Sequence, residues 1–183
     1  MKGGGGLLVW FVQSLSPDGK FLLYGNGDDI MTLPLIGERK PEVYLQTRYS
    51  ESSASFSPDG RWVAYESDES GRREIYLQGF PERRGKWMVS AEGGRTPAWR
   101  ADGKELYWVG LERTLMATSV ELQAAGVRVG RTEALFRLPA SDERPPLYQA
   151  SRDGRRFLVY EPEGALQDRP MVVVENWAAR LGR

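Results

Sequence analysis

Short apolar runs separated by polar turns organise this chain, and the three-to-four-residue spacing of an amphipathic helix is missing. Residues 21–24, 62–65, 106–109 and 157–160 are aromatic and aliphatic, with no charge among them. Uninterrupted runs of this length are expected of strands covered on both faces. A second set at 29–35, 74–80, 114–122 and 171–177 and a third at 43–46, 87–90 and 134–138 have the same β-branched and aromatic bias. No segment predicts a helix, so the pattern specifies an all-β fold.

Each run of the first set follows a turn, and the turns repeat. They are Ser16-Pro17-Asp18-Gly19, Ser57-Pro58-Asp59-Gly60, Arg100-Ala101-Asp102-Gly103 and Ser151-Arg152-Asp153-Gly154. Proline presets φ, aspartate tolerates the next position and glycine supplies backbone freedom, which is tight-turn chemistry. The third and fourth copies lose proline but keep Asp-Gly, so the turn depends more on the carboxylate and the glycine than on proline rigidity.

The aspartates are 41, 43 and 51 residues apart, close to the roughly 40–50 residues of one four-stranded propeller blade. The prediction is a single β-propeller domain over 7–183 with four blades of antiparallel strands, in repeats around 14–53, 54–96, 97–147 and 148–177. The longer last interval predicts an insertion between residues 138 and 147, where Pro139, Pro145 and Pro146 interrupt a polar stretch.

After the fourth turn only two strands are predicted, which leaves the last blade short of an outer strand. The apolar run 7–12 is expected to supply it, closing the ring and hiding a sheet edge; association of two chains into a homodimer is the other route to closure. The four glycines of residues 3–6 belong to a flexible lead at 1–6. The run after them is too short for a membrane span and poorly formed as a signal peptide.

Composition narrows function by exclusion. Lys plus Arg and Asp plus Glu both number 25, giving zero formal net charge. No global basic field attracts a polyanion, so no nucleic acid partner is expected. The chain has no cysteine and no histidine, which removes disulfides, thiol nucleophiles, thiolate or imidazole metal sites and histidine bases. No cofactor motif, nucleophile elbow or P-loop occurs. Paired carboxylates remain formally open, but no spacing singles out a pair.

With these residues in hand, the chain resembles the TolB-like, WD40-like β-propeller repeats, in which Ser-Pro-Asp-Gly precedes a basic residue and an aromatic or aliphatic strand. The second copy carries the likeness best, from Phe56 through Ser57, Pro58, Asp59, Gly60, Arg61 and Trp62 to Tyr65, followed by Ser70-Gly71-Arg72-Arg73-Glu74-Ile75-Tyr76. The chain also resembles the C-terminal part of larger bacterial proteins in which a propeller follows a kinase or a DNA-binding regulator domain. The resemblance implies a sensor or docking scaffold with a protein or peptide partner, located in the periplasm, at the cell surface or in the cytoplasm. Propellers of prolyl-oligopeptidase-like hydrolases carry similar repeats and give an alternative.

Candidate chemistry is sparse. Asp18, Asp59, Asp102 and Asp153, with Gly19, Gly60, Gly103 and Gly154, are expected to be structural turns rather than a ring of cation ligands. Trp62, Trp87, Trp99 and Trp108 are expected in the packing between blades. Glu66, Asp68 and Glu69 read as a solvated loop, and Arg72, Arg73, Arg83 and Arg84 as a solvated face offset by Glu74 and Glu82.

Overall fold

The computed structural model describes residues 10–123, 126–139, 148–160 and 171–175. Among the described residues, fifteen strands form four antiparallel sheets. The first contains β1 (Trp10–Leu15), β2 (Phe21–Asn26), β3 (Asp29–Pro34) and β4 (Glu42–Leu45), and the second β5 (Glu51–Phe56), β6 (Trp62–Ser67), β7 (Glu74–Gly79) and β8 (Lys86–Met88). The third contains β9 (Arg95–Trp99), β10 (Glu105–Val109), β11 (Thr114–Gln123) and β12 (Gly126–Arg137), and the fourth β13 (Tyr148–Ala150), β14 (Arg156–Tyr160) and β15 (Met171–Glu175). Every sheet is a meander whose strands pair in chain order. The only helical element among the described residues is a 3-10 turn at Leu111–Arg113.

Sheets stack face to face, and the core lies between them. Leu23, Ile30 and Leu45 of the first sheet meet Phe56, Val63 and Tyr65 of the second. Ala64 and Leu77 on the other face of the second sheet meet Leu106 and Trp108 of the third, and Tyr107 and Val109 meet Phe157 and Val159 of the fourth. The face turned toward the preceding sheet is called leading here, and the opposite face trailing. Alternation along a strand sends neighbouring residues to opposite faces. Val63 and Ala64 therefore belong to different inter-sheet cores, although both are 0% exposed.

Aromatic edges fill these interfaces: Phe80 lies 5.1 Å from Phe21 and 4.8 Å from Phe56, and Tyr107 lies 5.1 Å from Phe157. Each buried ring removes a large apolar area from water, worth about 1.5–3 kcal/mol. Trp62 and Trp108 are buried, and Trp87 and Trp99 pack half-buried against the same core.

The turn residues follow one geometry. Gly19, Gly60, Gly103 and Gly154 have φ of +71°, +69°, +72° and +71°, the left-handed region open to glycine. In the first turn Ser16 Oγ donates to Asp18 Oδ1 at 2.7 Å, and the Lys20 amide donates to the same oxygen at 3.1 Å. In the third, where arginine replaces serine, Arg100 Nε and Nη2 donate to the two oxygens of Asp102 at 2.8 Å each. This guanidinium is the main cause holding the Asp102 pKa down at about 2. Successive turns also touch: Pro17 Cδ lies 3.4 Å from where a Cβ on Gly60 would stand, and Pro58 Cδ lies 3.7 Å from the corresponding point on Gly103. The proline thus has an inter-blade contact that turn propensity does not reveal.

Several expectations need correction. The N-terminal run does not complete the last blade, because residues 10–15 pair antiparallel with β2, from Trp10 opposite Asn26 to Leu15 opposite Leu22. They form the innermost strand of the first sheet, and residues 1–9, including the Gly-rich lead, lie outside the described residues. The apolar pattern also passed over β5, β9 and β13, whose Glu51–Phe56, Arg95–Trp99 and Tyr148–Ala150 are too polar or short to register. Extra length in the third repeat lies at least partly in the β11–β12 hairpin, with strands of ten and twelve residues; residues 140–147 lie outside the described residues.

Candidate axial groove

Each Asp-Gly turn reverses the chain out of a strand that is the innermost of its sheet, so β1, β5, β9 and β13 line up side by side along the inside of the stack. Between them lies a groove of about 570 Å³, lined by Gln13, Ser53, Thr96, Trp99, Tyr148 and Gln149 among others. None of its lining residues is charged.

An innermost strand has one edge without a ladder partner, and buried backbone groups left unpaired are costly. Side chains from neighbouring sheets meet that need here. Gln13 Oε1 accepts from the Ala54 amide at 2.8 Å, and Ser14 Oγ from the Phe56 amide at 3.1 Å. Trp99 Nε1 donates to the Ser55 carbonyl at 3.2 Å, and the Tyr148 hydroxyl to the Thr96 carbonyl at 2.7 Å. Burial holds the Tyr148 hydroxyl well above the ordinary phenol range, so it stays a donor. Glu66 Oε1 accepts from the Thr96 amide at 2.7 Å.

Two residues at the groove are strained. Ser53 has φ of 54° and Thr96 φ of 49°, at equivalent places three residues before Phe56 and Trp99. Left-handed backbone at such residues costs about 1–3 kcal/mol each and persists only where the surroundings fix it. Ser53 sits within the irregularity between Ser52 and Ser55, and Thr96 opposite the one between Tyr107 and Val109. The Thr96 hydroxyl oxygen is buried without a hydrogen-bond partner.

The structure disperses the sequence candidates. Each of Asp18, Asp59, Asp102 and Asp153 bonds within its own turn, and among the described residues no group of three or more acidic residues is placed to hold a metal ion. Glu66, expected in a solvated loop, is 2% exposed because it holds the Thr96 amide and lies 3.6 Å from Arg73. Arg73 is likewise no free surface cation: it donates to Ser50 and Ser52 hydroxyls at 2.8 and 2.9 Å. Ser53, Thr96, Tyr148 and Gln149 were not singled out by composition. Their signal is positional, in the residues that immediately precede each repeated turn.

No protein-family model matches the chain, and no curated protein sequence matches it. Solved structures do. TolB from Acinetobacter baumannii superposes with a TM-score of 0.64 at 19% identity, over 89% of this chain and 40% of that one. The β-propeller domain of Cps50 from Myceliophteria thermophila superposes with 0.59 at 14% identity, over 93% of this chain and 59% of that one. A puromycin-hydrolyzing peptidase from Mycobacterium tuberculosis gives 0.59 at 19% identity, over 88% of this chain and 29% of that one. The chain thus spans less than two thirds of the length of the proteins it matches. Four meander sheets stacked about a common groove, together with these superpositions, give the chain the fold of a TolB-like, WD40-like β-propeller, of which it forms a partial ring.

Proposed function

We propose that this chain is a non-catalytic interaction module that holds an uncharged, extended protein or peptide segment in its axial groove. The observation that carries the reading is the groove itself, with walls drawn from all four innermost strands, two left-handed residues and the unpartnered Thr96 hydroxyl. A neutral lining of aromatic, hydroxyl and amide side chains suits a peptide backbone and apolar side chains better than a phosphate or a sugar acid. On this reading the four Asp-Gly turns are architectural. Superposition on the peptidase favours a second reading, a hydrolase propeller; with no histidine here, a serine–histidine mechanism would need groups from outside the chain.

A random peptide display library selected on the immobilised chain tests the groove. Enriched peptides should bind the Gln149→Arg variant at least tenfold more weakly by titration calorimetry, with the melting temperature unchanged because Gln149 is exposed. Failure to enrich any sequence, or peptides indifferent to Gln149→Arg, would overturn the reading.

A further inference from the structure

Antiparallel pairing carries the connections that follow β2, β4 and β6 to the end of the sheets opposite the repeated turns, where they meet. The β2–β3 hairpin brings Asp28 and Asp29, the β4–β5 connection Thr47, Arg48 and Tyr49, and the β6–β7 connection Asp68, around a pocket of about 760 Å³. It shares no lining residue with the axial groove.

Charge is unbalanced here although the whole chain is neutral. Nearby Glu66, Glu69 and Glu74 have their own cations in Arg73, Lys86 and Arg72. Asp28, Asp29 and Asp68 have no ion-pair partner among the described residues. Asp29 accepts from the Gln46 side-chain amide at 2.8 Å, and Asp68 from the Ser50 backbone amide at 2.9 Å. Arg48, the one cation among the described lining residues, is turned to its neighbour: its Nη2 lies 2.6 Å from the Tyr49 hydroxyl and its Cζ 4.9 Å from the ring centroid.

Glu51 gives an independent sign of the same need. It is 2% exposed, directly behind this lining: its amide donates to the Asp28 carbonyl at 2.8 Å, and the Thr47 hydroxyl donates to its Oε1. Its Oε2 is buried without a hydrogen-bond partner. Lys86, which also acts on Glu51, is already paired with Glu69. A buried carboxyl oxygen left without a donor is costly, and positive charge in the pocket beyond Thr47 offsets that cost.

The form of the cation follows from the placement of the carboxylates. Among the described residues no three acidic groups converge as a metal ion requires, and these carboxylates come from separate connections. A flexible chain with several ammonium groups can meet carboxylates that one ion cannot reach together. From this we infer that the pocket binds an organic polycation of the aliphatic polyamine class, its ammonium groups met by Asp28, Asp29 and Asp68.

Titration calorimetry of the full chain with spermidine at low salt tests it, with octanediol as an uncharged chain of similar length. Spermidine should bind saturably at one site and octanediol should not bind. Asp28→Asn should weaken spermidine about fivefold at an unchanged melting temperature, because Asp28 is exposed and its carboxylate makes no hydrogen bond among the described residues. Asp68→Asn, which keeps an acceptor for the Ser50 amide, should weaken it similarly. Glu121→Gln, at a carboxylate 63% exposed on the third sheet, should bind like the parent chain. No saturable binding by the parent overturns the inference. So does weakening by Glu121→Gln equal to that by Asp28→Asn, which would mean attraction to surface carboxylates in general. Peptide capture by the groove is a separate readout, and Asp28→Asn should leave it unchanged.

Discussion

The second sheet and the first share one turn motif and one strand order and live in different surroundings. Trp62–Ser67 is buried at every position, whereas in Phe21–Asn26 only Leu23, Tyr24 and Gly25 are. The turn before each strand is the same four residues, Ser-Pro-Asp-Gly. What differs is company: among the described residues the second sheet has a neighbour on both faces, the first on one. A repeat therefore specifies a sheet locally and leaves its burial to the neighbouring repeats, as expected of a stack in which each unit contacts only the next.

The sharpest way to break this comparison is to truncate equivalent leucines. Leu106→Ala, at a position 0% exposed, should cost about 2–5 kcal/mol in chemical denaturation. Leu22→Ala should cost about 1 kcal/mol, because Leu22 is only half-buried and much of its transfer is already forgone. Equal costs would mean that something covers the first sheet's leading face.

Turn glycines sharpen it further. Gly19 and Gly154 share φ of +71°, but a Cβ on Gly154 would stand 2.1 Å from the Tyr107 hydroxyl, while one on Gly19 would meet nothing within 4 Å. Gly19→Ala should lower stability by about 1 kcal/mol through backbone strain alone, and Gly154→Ala by about 2–3 kcal/mol, since the preceding blade must also give way. Similar losses would show that contacts between turns contribute little.

The smallest expected effect is electrostatic. The folded pKa of Asp102, held down to about 2 chiefly by Arg100, lies below its ordinary 3.8. Its contribution to stability is thus present above about pH 4 and is lost as pH falls toward about 2. Thermal melts across that window should show a shallower pH dependence for Asp102→Asn than for the parent chain. With 45% of its side chain exposed, the difference should shrink further in high salt.

Much of the fold was legible because its cause is local. Asp-Gly turns at blade spacing followed by apolar runs are short-range signals, and they located the second strand of every sheet. The innermost strands were not legible. Glu51–Phe56 carries one glutamate and three serines in six residues, and its glutamate is buried at 2% exposure only because partners such as the Thr47 hydroxyl stand beside it. A polar strand of this kind is stabilised by what surrounds it, and periodicity records only the average solvent exposure of its positions. The groove was hidden for the same reason, since the innermost strands are its walls.

By itself the sequence determined the repeated turns and the strand that follows each of them: turn chemistry and strand bias act within about ten residues and need no knowledge of the rest of the chain. Only the tertiary structure decided which sheet each strand joins, as when residues 10–15 pair with β2 and not with the last blade. It also decided which of two apolar faces is covered, and that Ser53 and Thr96 adopt left-handed backbone beside a common groove. The physical reason is that stacking is an interaction between distant repeats: its free energy comes from area removed from water by a neighbour, and a single repeat does not encode whether that neighbour is there.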